Sequence, residues 1–267
     1  MSVRKSSLYQ PVDIEGYTVL ITGASSGIGE ACAFRFAEAG CKLILLARRE
    51  ERLQNIKSQL TSTYQVPVHI VAMDVRDIKA IEALPDQLPE EFSKVDILVN
   101  NAGLALGVAP VVDNQIEDVV AMLETNVTAT VVFTKVFVAG MIARGRGHLI
   151  NISSVAGKES YPGGSVYCAS KHAVSAFTAS ARHDLVGTPI RVTSISPGAV
   201  KTEFSAVRYK GDQAKADAVY DGFVPLCAAD IADNVIYAST RPEHVQIADI
   251  LVFASSQASA RGLARKL

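Results

Sequence analysis

Tyr167 and Lys171 stand four residues apart in the run Tyr-Cys-Ala-Ser-Lys, so on a helix their side chains share one face. A phenol beside an ammonium is what reduction of a carbonyl needs, because the oxygen must receive a proton as hydride reaches the carbon. A free tyrosine holds its proton too tightly for that at neutral pH. Bringing its pKa from ~10 to ~7 takes ~4 kcal/mol, about what one cation at ~4 Å supplies at an effective dielectric of ~20. The expectation is a phenol lowered toward neutrality by Lys171, helped by a positively charged nicotinamide. With eight tyrosines in the chain such a pair arises readily by chance, so its surroundings decide the matter. Ser154 lies just past the apolar run HLINIS that starts at His148, where its hydroxyl can converge with the phenol at the carboxyl edge of a sheet.

A second constellation sits near the start of the chain. The run TGASSGIGEA places Gly23, Gly27 and Gly29 directly after an apolar strand and before an apolar helix. Glycines there let the backbone turn tightly against a pyrophosphate, and the helix N-terminus offers free N–H groups and the positive end of its dipole. Ser25 in the same turn could bond either its own turn or a phosphate. The second strand ends Ala47-Arg48-Arg49, where a fold that prefers NAD would place a carboxylate for the adenosine ribose. Without it nothing repels a 2′-phosphate, and a guanidinium can grip one through forked, charge-assisted bonds. The cofactor expected is therefore NADP(H). The other reading of Arg48 and Arg49 is that they are solvated residues at the start of the next helix, paired with Glu50 and Glu51.

These groups need a frame. Strand-like runs YTVLIT, KLILLA, VHIVAM, DILVNN, HLINIS, RVTSIS and DILVFA alternate with helical stretches, the pattern of a parallel sheet buried on both faces. The fold class predicted is α/β, a Rossmann-type, doubly wound, seven-stranded sheet with helices on both faces, in one domain over 1–267. Long helical regions are expected over about 115–143 and 165–185, each apolar on more than one side, as a core helix or a subunit interface would be. Residues 202–227 break the alternation, mixing charges with Phe204, Tyr209, Tyr220 and Phe223; an insert after a strand end is where such folds build substrate loops.

Composition narrows the partners. The net charge is −1 with no block of like charge, which argues against nucleic acid or an anionic membrane surface and for a small-molecule substrate. Cys32, Cys41, Cys168 and Cys227 have no metal-ligand spacing and are read as buried free thiols. The five histidines suggest no metal site and are read as surface or helix-packing residues. No signal-peptide pattern occurs near the start, and no run of 18 apolar residues follows, so a cytoplasmic protein is expected. The terminal Arg-Lys-Leu approaches the peroxisomal Ser-Lys-Leu address but has a large cation where that signal has a small residue.

Taken in order and spacing, TGASSGIG, Asp74-Val75, Asn100-Asn101-Ala102-Gly103, Asn126, Ser154, Tyr167-x-x-x-Lys171 and Pro197-Gly-Ala-Val-Lys-Thr-Glu-Phe resemble the short-chain dehydrogenase/reductase superfamily over nearly the whole chain. The resemblance implies that Ser154 hydrogen-bonds the substrate oxygen, that Tyr167 is the acid/base and Lys171 its modulator, and that Asn126 holds a water relaying protons to Lys171. It implies that Asp74 meets the adenine amino group, with Val75 beside it. Ile28 of the glycine turn and Asn101, Ala102 and Gly103 would line the cofactor, and Asn100 would steady the sheet centre. Pro197, Gly198, Val200 and Thr202 would contact the nicotinamide carboxamide. A homotetramer also follows from the resemblance.

A narrower similarity, in TEFSAVRYKGDQAKADAVY and the later PLCAADIA, is to the NADP-dependent 3-hydroxy acid dehydrogenases of that superfamily. It implies oxidation of short β-hydroxy acids of the serine, allo-threonine and 3-hydroxybutyrate type. A broad carbonyl reductase and a non-catalytic NADP-sensing protein are the two rival readings. Such an acid needs a cation for its carboxylate, and Lys201 stands at the base of the insert with Arg208 and Lys210 along it. Arg208, flanked by Val207 and Tyr209, is the substrate-binding candidate, and the two lysines are read as loop charges balanced by Glu203 and Asp212.

Overall fold

The computed structural model describes residues 10–265. The opening residues and Lys266-Leu267 of the terminal address lie outside the described residues. Among those described, the seven apolar runs form the strands β1 (Thr18–Thr22), β2 (Lys42–Ala47), β3 (Val68–Ala72), β4 (Val95–Asn100), β5 (Gly147–Ile152), β6 (Ile190–Pro197) and β7 (Asp249–Val252). All pairings are parallel, in the order β3-β2-β1-β4-β5-β6-β7. The order reverses between β1 and β4, and the crevice outside the carboxyl ends there is where a doubly wound sheet binds its ligand.

The apolar runs are continuous because both faces are covered. Side chains alternate: Val19, Ile21, Leu43 and Leu45 join one core with helices α1 (Gly27–Glu38) and α2 (Glu50–Tyr64), while Leu20, Ile44 and Leu46 face the other with α3 (Ile78–Gln87). The second core is completed by a helical run in three parts: α4 (Ile116–Leu123), a π-helical turn (Glu124–Thr128) and α5 (Ala129–Arg144). That run is long and apolar enough to cross a membrane by length and composition, which reading for unbroken apolar runs did not reveal. Its Phe133, Phe137 and Met141 are buried among sheet residues, the packing of a core helix. Truncating a buried Phe of this kind costs about 3–5 kcal/mol.

Helix α6 (Ser165–Asp184) carries the Tyr167–Lys171 face. The 202–227 stretch holds two short helices, α7 (Phe204–Arg208) and α8 (Gln213–Ala218), and is pinned at its base by a parallel bridge between Val200 and Leu226. Helix α9 (Ala228–Ser239) follows and packs on α1 in the first core. Cys227 departs from the sequence expectation: it is exposed at the start of α9, where it takes part in a capping box with Asp230, while the other three cysteines are buried free thiols. His148 departs too, lying wholly inside the sheet, hydrogen-bonded to Thr193 of β6 at 2.8 Å.

Candidate active site

One cleft of about 940 Å³ runs along the carboxyl edge of the sheet, and the two sequence constellations meet in it. At one end is the glycine turn. Gly23 and Gly27 have φ of +66° and +59°, and a Cβ on Gly23 would come within 2.9 Å of the Ala102 backbone. The turn therefore packs against the Asn101–Ala102 loop after β4, and Asn101 donates its side-chain amide to the Thr22 and Gly23 carbonyls. Ser26 caps α1 in extended geometry without a side-chain cap bond, so the first N–H groups of this helix are left for an anion. These features fit a pyrophosphate.

At the end of β2 the arginines part company. Arg48 lines the cleft and has no hydrogen-bond or ion-pair partner among the described residues. Arg49 donates to Ser25 Oγ from Nε at 3.1 Å and Nη2 at 3.0 Å, to Ser26 Oγ at 2.7 Å, and to Glu203 at 2.8 Å. The pairing of these arginines with Glu50 and Glu51 does not occur. Glu203 is reached instead because the chain after β6 arches back to β2, bringing Thr202 to within 3.2 Å of where a Gly27 Cβ would stand. Ser25 thus serves Arg49, rather than its own turn. Asp74 lines the cleft beyond Arg48, its carboxylate held below the usual range by the Arg76 guanidinium, which clasps it at 2.7–3.1 Å. Ile28, Val75, Gly103, Pro197, Gly198 and Val200 line the same cleft. Asn100 does not; it is buried between strands, donating to Asn151 at 2.9 Å and Thr134 at 3.3 Å.

Ser154, Tyr167 and Lys171 converge where β5 ends. Ser154 caps the short turn after β5, accepting from Ala156 N at 3.1 Å, and its hydroxyl lies near enough to the Tyr167 phenol to favour the ionised form. Lys171 extends to the carbonyl of Ile152 at 2.8 Å. Burial pushes the Tyr167 phenol well above its ordinary value, against the lowering expected from Lys171, and holds Lys171 down to about 8. The reason is a desolvated pocket in which the ammonium is aimed at a backbone carbonyl. The phenol is thus a neutral donor in this state, and ionising it requires added positive charge.

Asn126 sits in the π-helical turn, whose extra residue carries its side chain inward. Its Oδ1 accepts from Leu104 N at 2.8 Å, and its Nδ2 donates to Leu104 O at 2.8 Å and Ser170 Oγ at 2.9 Å. Both amide protons are used by protein, while Oδ1, with one bond accepted, keeps a second lone pair. It does approach the lysine: a Cβ on Gly103 would lie 3.3 Å from Asn126 Oδ1 and 3.4 Å from Lys171 Nζ.

The far end is built by the insert. Phe204 packs against Tyr167 with the two rings tilted, and Arg208 sits 5.8 Å from the Tyr167 ring centroid. Arg208 is anchored, donating to Tyr161 Oη at 3.0 Å, Gly163 O at 3.2 Å and Gly107 O at 3.3 Å. The neighbouring lysines do not pair as the sequence suggested: Lys210 bridges to Asp118, Lys215 takes Asp212, and Lys201 lies over the Tyr220 ring. Sequence reading missed Tyr161 and Arg261. Arg261, near the chain end, lies 5.2 Å from the Tyr161 ring centroid and donates to Pro162 O at 2.7 Å. The signal available was one of several cations in the tail, and only the fold brings it to the cleft.

The short chain dehydrogenase family matches this chain over residues 17–213. The NADP-dependent 3-hydroxy acid dehydrogenase of Schizosaccharomyces pombe is 46% identical over 254 residues, 95% of this chain and 98% of that protein. Sulfoacetaldehyde reductase 2 of Chromohalobacter salexigens is 46% identical over 241 residues, 90% of this chain and 95% of that protein. The closed form of serine dehydrogenase complexed with NADP+ superposes with a TM-score of 0.88 at 43% identity, covering 94% of this chain and 100% of that one.

Proposed function

The chain belongs to the short chain dehydrogenase family and is an NADP-dependent oxidoreductase acting at hydroxyl-bearing carbons, and from that premise we propose that it interconverts the β-hydroxyl and β-carbonyl of short 3-hydroxy acids. The observation that carries this substrate class is charge. Arg208 and Arg261 flank Tyr161 beside the Tyr167 end of the cleft, whereas Asp74 and Glu203, the carboxylates among its described lining, stand with Arg48 and Arg49. A cationic end without a counter-carboxylate suits an anionic group on the substrate.

Bound NADP(H) supplies or accepts the hydride. The chain's own residues handle the oxygen. Ser154 hydrogen-bonds it, Tyr167 gives it a proton in reduction and takes the proton back in oxidation, and Lys171 favours the ionised phenol once it is turned toward it. Asn126 positions Lys171 through the Leu104 loop. Arg48, the unpartnered guanidinium, takes the 2′-phosphate with help from Arg49, and the glycine turn takes the pyrophosphate. The 202–227 insert closes the substrate end. With serine as substrate the product is an aminomalonate semialdehyde, which loses CO2.

A sulfonate carries the same single charge as a carboxylate, and the likeness to a sulfoacetaldehyde reductase favours it as a second acid group. Kinetics across paired substrates with carboxylate, sulfonate or no acid group decide between these readings and a broad carbonyl reductase. Equal kcat/KM with and without an acid group would remove the hydroxy-acid assignment. Our reading further makes the protein a cytoplasmic homotetramer, on the strength of its free buried thiols and the exposed apolar side chains of Val111, Val112, Ile116, Val120 and Leu123.

A further inference from the structure

Glu203 is a carboxylate at the mouth of a site meant for an anion. It follows β6, yet its oxygens are held by Arg49 at 2.8 Å and Arg52 at 2.5 Å, residues beyond the end of β2. The contact therefore reaches over the carboxyl ends of β5, β4 and β1, and joins the base of the insert to the start of α2. Glu30 of α1, half-buried, faces the same charges.

Each nitrogen of Arg49 already has a partner. Nε and Nη2 go to Ser25 and Ser26, and Nη1 goes to Glu203. One Nη1 proton is left over, so a phosphate can take two parallel bonds from this guanidinium only by displacing one of those partners, and the exposed carboxylate is the weakest hold, since its pair is screened by water. Arg52 has no part in lining the cleft and can keep Glu203 when Arg49 leaves.

We propose that Glu203 is a determinant of cofactor choice acting through Arg49: its carboxylate and the 2′-phosphate of NADP(H) compete for that guanidinium, so the phosphate's arrival opens the pair and frees the base of the insert. The inference rests on the reading that Arg48 and Arg49 meet that phosphate. NAD(H), with a ribose hydroxyl there, leaves the pair closed. The 2′-phosphate thereby reports at the substrate end as well as holding the cofactor, because Glu203 immediately precedes α7, which carries Phe204 and Arg208.

The test is calorimetric titration of NADP+ and NAD+ into wild type, Glu203→Gln, Arg49→Ala and the double variant. Glu203→Gln should bind NADP+ about threefold to tenfold tighter and NAD+ within about twofold of wild type, with the gain absent in the Arg49→Ala background. Weaker NADP+ binding, or an equal change for both cofactors, overturns the competition. A second measurement needs no variant: hydrogen exchange of residues 203–211 in wild type should be faster with 2′,5′-ADP bound than with 5′-AMP, and equal exchange overturns the proposal. Loss of the parent reading is recognisable separately, as a wild-type protein that binds NAD+ as tightly as NADP+.

Discussion

Phe204, the first residue of α7, lays its ring against that of Tyr167, with centroids 5.4 Å apart and planes at 57°. The insert thus touches the phenol it covers, and the contact is made by the ring, not by the hydroxyl. Tyr167→Phe keeps that packing and removes only the proton carrier. Turnover should fall by at least about 10²–10⁴ while calorimetric NADP(H) affinity stays near wild type. Wild-type turnover in this variant would exclude Tyr167 as the acid/base.

Arg48 stands without a partner in the cleft, so its removal exposes no broken pair. Arg48→Ala should raise the KM for NADP(H) by one or two orders of magnitude, about 1.5–3 kcal/mol for a charge-assisted bond, and barely alter NAD(H). The ratio of kcat/KM for the two cofactors is the readout. A ratio unchanged by the substitution would move the 2′-phosphate away from Arg48.

Arg208 holds Tyr161 and two loop carbonyls while facing Tyr167. Arg208→Ala should lower kcat/KM for L-serine or 3-hydroxybutyrate at least about tenfold, more than about 1.4 kcal/mol, and spare a neutral ketone. Equal losses on acid and neutral substrates would assign the residue to anchoring the insert alone.

His148 makes stability depend on acid. Thr193 Oγ1 donates to the Ile247 carbonyl at 2.7 Å, so it accepts from His148 Nε2, while Nδ1 is buried without a partner among the described residues. Burial, aided by Arg191, holds this imidazole's pKa well below 6.5. The unfolded chain takes up a proton there near pH 6.5 that the folded chain refuses, so this stabilisation is complete above that pH and is lost as pH falls below it. The slope reaches about 1.4 kcal/mol per pH unit. In urea denaturation, the stability of wild type minus that of His148→Gln should be flat above pH 7.5 and fall below pH 6; a flat difference throughout would contradict the lowered pKa of the buried imidazole.

Val111, Val112 and Ile116 are 68–85% exposed at the start of the long helical run, with Val120 and Leu123 further along it. Such a patch is expected to be covered by other copies of the chain. Light scattering should give the mass of a tetramer at micromolar concentration. A monomer under those conditions would remove the assembly and leave the catalytic assignment standing.

Much of this was legible in one dimension because its cause is local. Apolar runs alternating with helical stretches leave a parallel sheet as the arrangement that buries both faces, and Gly23, Gly27, Tyr167 and Lys171 declare themselves through backbone freedom and helical spacing. Even the placement of Ser154 follows, since a strand end in such a sheet lies at its functional edge. The partners of the charges were not legible. Arg49 finds Glu203 instead of Glu50, Lys210 finds Asp118, and Arg261 arrives beside Tyr161 from the far end of the chain. Each of those pairings joins residues far apart in sequence, decided by how the loops fold over the sheet edge. The phenol's state is tertiary for the same reason: sequence shows that a lysine is one turn away, but only the packed cleft determines how much water is excluded and that Lys171 is aimed at Ile152. Desolvation and long-range charge depend on the whole surroundings of a group, which a sequence neighbourhood does not contain.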